Sequence, residues 1–258
     1  MKTAPCIVAV LLILILCPVS AEPPPDIATI RSERAVSIQD ELFGSAISRI
    51  ANIYNYPVNI ELSPEEDQPE RQGKIYALGI RRNEKLASSL DRMLLTGDGM
   101  YARQEVMGHT VIRPTLEFFN MLDLPVTIDL TDATIWEAIK AVAVAVNRHP
   151  DTDKRLEISV PNVSPGTSHL APTSFTQDRV ITLQGGPTTV RSLIFQIFSQ
   201  APVRLSYMYG VSADWHVLQL KFLTGLVEVD GLGADVPIEV QEWWNHERED
   251  IADAFNKR

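Results

Sequence analysis

Leu86 to Tyr101 reads LASSLDRMLLTGDGMY. Leu86, Leu90, Met93 and Leu94 fall at the 4-3-1 spacing of one helix face, so the stretch predicts an amphipathic helix. Asn83 stands where a helix N-cap is wanted, and Gly97 where a helix end takes a left-handed residue. The same face recurs 104 positions later as Val190, Ile194, Ile197 and Phe198, with Thr188 or Thr189 as the cap. An earlier helix is doubled as well. Ile47, Ile50 and Ala51 match Ile139, Val142 and Ala143 at an offset of 92, and Val36 and Ile38 match Ile128 and Leu130 at that same offset. A repeat at this scale governs every other assignment, because each element then has a counterpart to check it.

Working outward, the first copy opens on a strand at Val36-Ser37-Ile38. Asp40 caps a helix with Leu42, Phe43, Ala46, Ile47, Ile50 and Tyr54 on its face. A strand at Val58–Leu62 follows, then a polar loop to Gln72, then a strand over Lys74–Ile80 with Ile75 and Ala77 on one side. Past the Leu86 helix, Tyr101–Val106 and Thr110–Arg113 form a hairpin turned at Met107-Gly108-His109. The second copy starts with a strand at Val126–Leu130 and a capping box, Thr134-x-x-Glu137. Ala141–Val146 (AVAVAV) alternates like a strand, but the capping box and the matched helix make it helical, buried on more than one side. Strands at Leu156–Val160 and Val180–Leu183 flank a Pro/Ser/Thr-rich loop, and Arg204–Tyr209 with His216–Phe222 closes the copy as a hairpin. The fold class is therefore α+β: two tandem βαβ-βαββ modules, each with two helices packed on small sheets. The segments are 1–21, 22–34 (a Pro-rich linker), 35–115, 122–224 and a C-terminal extension, 225–258.

Ala46-Ile47-Ser48-Arg49-Ile50-Ala51, the LASSLDRMLLTGDGMY stretch and the strand Thr110-Val111-Ile112-Arg113-Pro114 together resemble the short N-terminal domain shared by secretins and TonB-dependent receptors, the STN domain. The second copy is more divergent: Gln200-Ala201-Pro202 replaces the glycine-containing turn. The resemblance implies a non-enzymatic periplasmic interaction module, either a ring-forming element or a signalling domain that meets an inner-membrane regulator. About 35 residues follow Phe222, far too few for an outer-membrane barrel or a secretin pore, so the expected role is that of a stand-alone pair of modules.

Residues 1–21 read as a cleavable signal peptide: Lys2, an uncharged apolar run from Cys6 to Leu16, the breaker Pro18, and Val19-Ser20-Ala21 before the cut. The run is too short for a transmembrane anchor, so no stable span is expected after cleavage near Ala21. Cys6 and Cys17 both lie inside it, leaving a mature chain with no cysteine for disulfides, thiol chemistry or metal. Leu16 and Ile15 stand where a lipoprotein signal wants small residues; lipidation of Cys17 stays open. An exported chain of this size without disulfides points to a bacterial periplasm or envelope. Beyond residue 21, 22 basic residues face 33 acidic ones, a charge that repels nucleic acid and anionic lipid.

No catalytic, cofactor or metal constellation emerges. The five histidines, His109, His149, His169, His216 and His246, share no i, i+4 spacing. His109 reads as a turn residue and His149 as a helix-end residue beside Pro150. Glu65-Glu66-Asp67 lacks the spacing of a calcium loop, and Gly185-Gly186-Pro187 lacks the lysine of a phosphate loop. In the extension, Trp243, Trp244 and Phe255 are the candidate partner-binding residues; Trp244, Ile251 and Phe255 share one helical face, and tryptophans anchor interfaces. The expected partner is an envelope protein, with self-assembly as a further option and no nucleic acid. The rival expectation is an envelope enzyme or small-ligand binder using the cleft between the copies.

Overall fold

A computed structural model describes residues 25–64, 74–97, 99–152, 154–159, 178–201, 204–212 and 215–222. The signal-peptide reading, most of the long loop after Ser159, and the extension with Trp243, Trp244 and Phe255 lie outside the described residues.

The chain is mixed α and β. In order it forms β1 (Val36–Glu41), α1 (Phe43–Ile53), β2 (Val58–Pro64), β3 (Tyr76–Ile80), α2 (Leu86–Thr96), β4 (Tyr101–Val106) and β5 (His109–Pro114). A short 3-10 turn at Met121–Asp123 leads to β6 (Pro125–Val126) and β7 (Leu130–Ala133). Then come α3 (Ile135–Asn147), β8 (Arg155–Ser159), β9 (Ile181–Leu183), β10 (Thr188–Thr189), α4 (Val190–Gln200), β11 (Leu205–Val211) and β12 (Trp215–Phe222).

The small sheets expected for each copy are fused. A six-stranded sheet runs β4-β5-β2-β11-β12-β8, and β2 meets β11 in parallel. Hairpin β4-β5 is antiparallel and β5 pairs β2 in parallel; hairpin β11-β12 is antiparallel and β12 pairs β8 in parallel. Alternate residues of the central strands enter two separate cores. Val58, Ile60 and Ile112 pack with α1 and α2, whereas Val111, Tyr207 and Tyr209 pack with α3 and α4. The two helix pairs therefore cover opposite faces of one sheet. Outside them lie two-stranded sheets, β1-β3 beyond α1/α2 and β7-β9 beyond α3/α4. This arrangement explains why Val58, Asn59, Ile60 and Glu61 are all buried: a strand in mid-sheet with helices on both sides has no wet face.

Several local expectations change for identifiable reasons. Asp40 does not cap α1; it lies within β1 at φ 54°, and the N-cap is Leu42, with no side-chain cap bond. Asp132 stands at φ 54° in β7, again 92 positions on, and each aspartate sits where its strand's register slips against the partner. A short polar side chain tolerates this left-handed conformation, so both serve bulges. Asn83 is likewise left-handed, at φ 64°, and the α2 cap is Lys85. Gly97 is not left-handed (φ −86°). In β3 the phase is opposite to expectation: Tyr76, Leu78 and Ile80 face the core and Ile75 is 62% exposed. The strand expected at Val126–Leu130 is split between β6 and β7. α3 is helical, with both bonds of its Thr134–Glu137 capping box, but it buries one face, and Val144 is exposed. Met107 and Gly108 form the β4-β5 turn at φ 52° and 78°, the positive pair of a type I′ turn.

Candidate functional site

The most concentrated chemistry lies on the seam where β2 meets β11. Glu61 points from β2 away from α1 and into the α4 layer, with a fully buried side chain. Its Oε1 accepts from Arg191 Nε at 2.6 Å and from the Tyr207 hydroxyl at 2.8 Å. Its Oε2 accepts from Arg191 Nη2 at 2.9 Å and Asn120 Nδ2 at 2.7 Å, and pairs with Arg113 Nε at 3.2 Å. Asp123 closes the ring: Oδ2 meets Arg113 Nη2 at 3.2 Å and Oδ1 accepts from Arg191 Nη1. Asn59, two residues before Glu61, bridges the sheet through its amide. Its Oδ1 takes the Tyr207 N–H and its Nδ2 donates to the Thr110 carbonyl, each at 3.1 Å.

Two guanidiniums and two carboxylates balance in formal charge, which is how charges survive burial. Burial alone would lower the Arg191 pKa, but the hydrogen bonds to Glu61 and Asp123 and the Glu61 charge raise it above the ordinary arginine value. Burial, reinforced by the neighbouring Glu61 charge, pushes the Tyr207 hydroxyl well above its ordinary value, so it stays a neutral donor. The network draws on β2, β5, the connection after β5, α4 and β11. Its chemistry is cross-bracing: every oxygen of Glu61 is spent on the chain itself.

Other buried polar groups also brace elements. Ser89 on α2 meets the Tyr54 hydroxyl at 2.6 Å and donates to Glu84 Oε1 at 3.0 Å, tying the end of α1 to α2. The Tyr209 hydroxyl accepts from Met121 N at 3.2 Å and bonds His216 Nδ1. His109, expected in a turn, begins β5 and stacks on Phe195 of α4 at 4.3 Å between ring centroids; burial lowers its pKa. His149 lies just past α3, where its Nδ1 accepts from Asp151 N. Gly185 lies between β9 and β10 and donates its N–H to Asp129. Among the described residues no group of three or more metal-ligating side chains converges, and no helix is long and apolar enough to cross a membrane.

Sequence reasoning missed the Glu61 network. Val-Asn-Ile-Glu-Leu alternates as a strand with one wet face would, and nothing in that alternation marks Asn59 and Glu61 as buried. The available signal lay in α4. Arg191 and Phe195, four apart, stand beside the apolar face of Val190, Ile194, Ile197 and Phe198, so the helix buries two stripes rather than one. Comparison with known proteins finds no matching family model, no similar curated protein and no similar solved structure.

Proposed function

We propose that the chain is an exported, non-enzymatic interaction or scaffold protein of the bacterial periplasm or envelope, built from two tandem modules of the secretin/TonB-receptor N-terminal kind. The observation that carries this reading is recurrence. Each half has an antiparallel hairpin joined to a parallel strand, a helix pair over that triplet, and an outer two-stranded sheet interrupted by an aspartate at φ 54°. The modules would run over 35–115 and 122–224. Order-for-order agreement between segments of low identity supports duplication of one folding unit.

The seam favours a scaffold over a ligand cleft between the halves. That space is occupied by the Glu61 network, whose donors and acceptors are spent on one another. A rigid pair of modules holds its outer surfaces at fixed separation, which suits a protein that positions partners. The N-terminal sequence supports export, and the cysteine-free remainder supports the periplasm or envelope. The test is affinity capture of the tagged chain from envelope fractions at native salt. The reading expects a second envelope protein in stoichiometric amount; recovery of the chain alone, or only of further copies of itself, overturns it.

A further inference from the structure

The seam between β2 and β11 is a template. Along the sheet the triplet β4-β5-β2 is followed by β11-β12-β8, with the same pairing inside each. The outer edge of β8 is thus the counterpart of the edge that β2 offers to β11. The outer edge of β4 is the counterpart of the edge that β11 offers to β2. Directions agree as well. β4 runs against β5 and hence against β2 and β11; β8 follows β12 and also runs against β11. A second copy laid alongside in the same orientation brings β8 against β4 in parallel, as β2 lies against β11.

The register transfers residue by residue. Pairing within the hairpins matches Tyr101 to Tyr207 and Arg103 to Tyr209; pairing of the parallel strands matches Ile60 to Ile158 and Glu61 to Ser159. The seam sets Ile60 against Met208 and Glu61 against Tyr209. Between copies this becomes Ile158 against Ala102 and Ser159 against Arg103. Met100 O takes the Thr115 N–H, so even-numbered residues of β4 bond inward to β5, and Arg103 turns its N–H to the outer edge of the sheet. Glu157 and Arg103 then share a face, with opposite charges.

One residue stands in the way. Asn147, the last residue of α3, holds Leu156 of β8 by both backbone groups. Its Oδ1 accepts the Leu156 N–H at 2.7 Å and its Nδ2 donates to the Leu156 carbonyl at 3.1 Å. A side-chain amide so placed imitates a neighbouring strand, which is a way of blunting a sheet edge. The charged lock of the internal seam has no counterpart at this end. Glu61, Arg113 and Arg191 correspond to Ser159, Gln219 and Ala87, so the outer contact is weaker than the inner one.

We propose that the β8 edge of one copy accepts the β4 edge of a second copy in the register of the internal seam, and that Asn147 guards this edge and sets the concentration at which the contact forms. The contact is head-to-tail, so it propagates as a ring or an open row. The proposal rests on reading the halves as one repeated module. It is separable from the capture of a different envelope protein, because it concerns only the mass of the purified chain.

The test is sedimentation velocity of the purified chain over a range of concentrations. Asn147→Ala is expected to associate at a concentration about tenfold below wild type, roughly the factor carried by one net hydrogen bond. Adding Arg103→Pro, which removes the outward N–H of β4, returns the variant to monomer. Two companions guard against misfolding. Asn147→Asp keeps the acceptor for Leu156 N–H and loses the donor, and is expected to shift association less than alanine does. Arg103 also pairs with Asp91 and Glu105 of its own chain, so Arg103→Gln, which removes the charge facing Glu157 without setting like charges together, is expected to weaken association without touching the backbone. The proposal fails if Asn147→Ala, with native circular dichroism, keeps the wild-type mass at every concentration. It also fails if neither Arg103 variant reduces the association.

Discussion

Arg191 and Glu61 are 130 positions apart in sequence, yet the guanidinium clasps the carboxylate at both oxygens, 2.6 Å from Nε to Oε1 and 2.9 Å from Nη2 to Oε2. The clasp crosses from α4 to the central strand β2 and is buried at both ends, so the halves of the chain meet through a charge pair and not only through apolar packing. Removing one partner strands the other in a medium that cannot solvate it. Arg191→Ala is expected to cost about 3–5 kcal/mol in urea unfolding, and Arg191→Met with Glu61→Leu together less than the sum of the single changes. Arg113→Ala, at the wetter end of the network, is expected to cost about 1 kcal/mol or less. Equal losses for Arg191 and Arg113 would contradict the arrangement.

His109 gives the fold a pH dependence of known sign. Burial against Phe195 lowers its pKa below the ordinary 6.5, so the folded state favours the neutral ring. As pH falls through 6.5 the unfolded chain takes up this proton before the folded one, and stability drops until the pH passes the folded pKa. Urea unfolding of wild type and His109→Phe is expected to diverge on acidification from neutrality, with wild type losing more. Parallel curves would show that this histidine does not contribute.

The two bulge aspartates predict a matched pair of effects. Asp40 and Asp132 both occupy φ 54°, where a β-branched side chain is strained. Asp40→Val and Asp132→Val are each expected to lower stability by about 1–2 kcal/mol, whereas glycine at either site is neutral or mildly stabilising. Thermal melts compare the four variants directly. Opposite behaviour at the two sites would argue against their equivalence.

At the β4-β5 turn, Met107 carries φ 52° before Gly108, a position that favours asparagine. Met107→Asn is expected to raise stability by up to about 1 kcal/mol, read as a higher melting temperature, since the methionine side chain is exposed and packs little.

Much of the architecture was legible because helix faces such as Leu86, Leu90, Met93 and Leu94 declare themselves by period, and Thr134 with Glu137 announces a helix start. Tertiary placement was not. Asn59 and Glu61 have the alternation of a half-exposed strand, and only the joining of two triplets into one sheet puts α4 over them. Asp40 and Asn83 are ordinary cap residues in composition. Their left-handed backbones come from bulge and turn geometry that pairing with β3 and the return into α2 impose. Ile75 misled because a strand's phase depends on which residues face the helices, and Tyr76 outweighs it in buried area.

As proposed, the chain positions envelope partners rather than transforming a substrate. Capture of the tagged chain from cross-linked envelopes, compared with the Arg191→Ala form whose seam is broken, tests it most directly. One other envelope protein is expected in stoichiometric amount with wild type and is expected to be lost with Arg191→Ala. Wild-type chain recovered without any other envelope protein at native salt would contradict it.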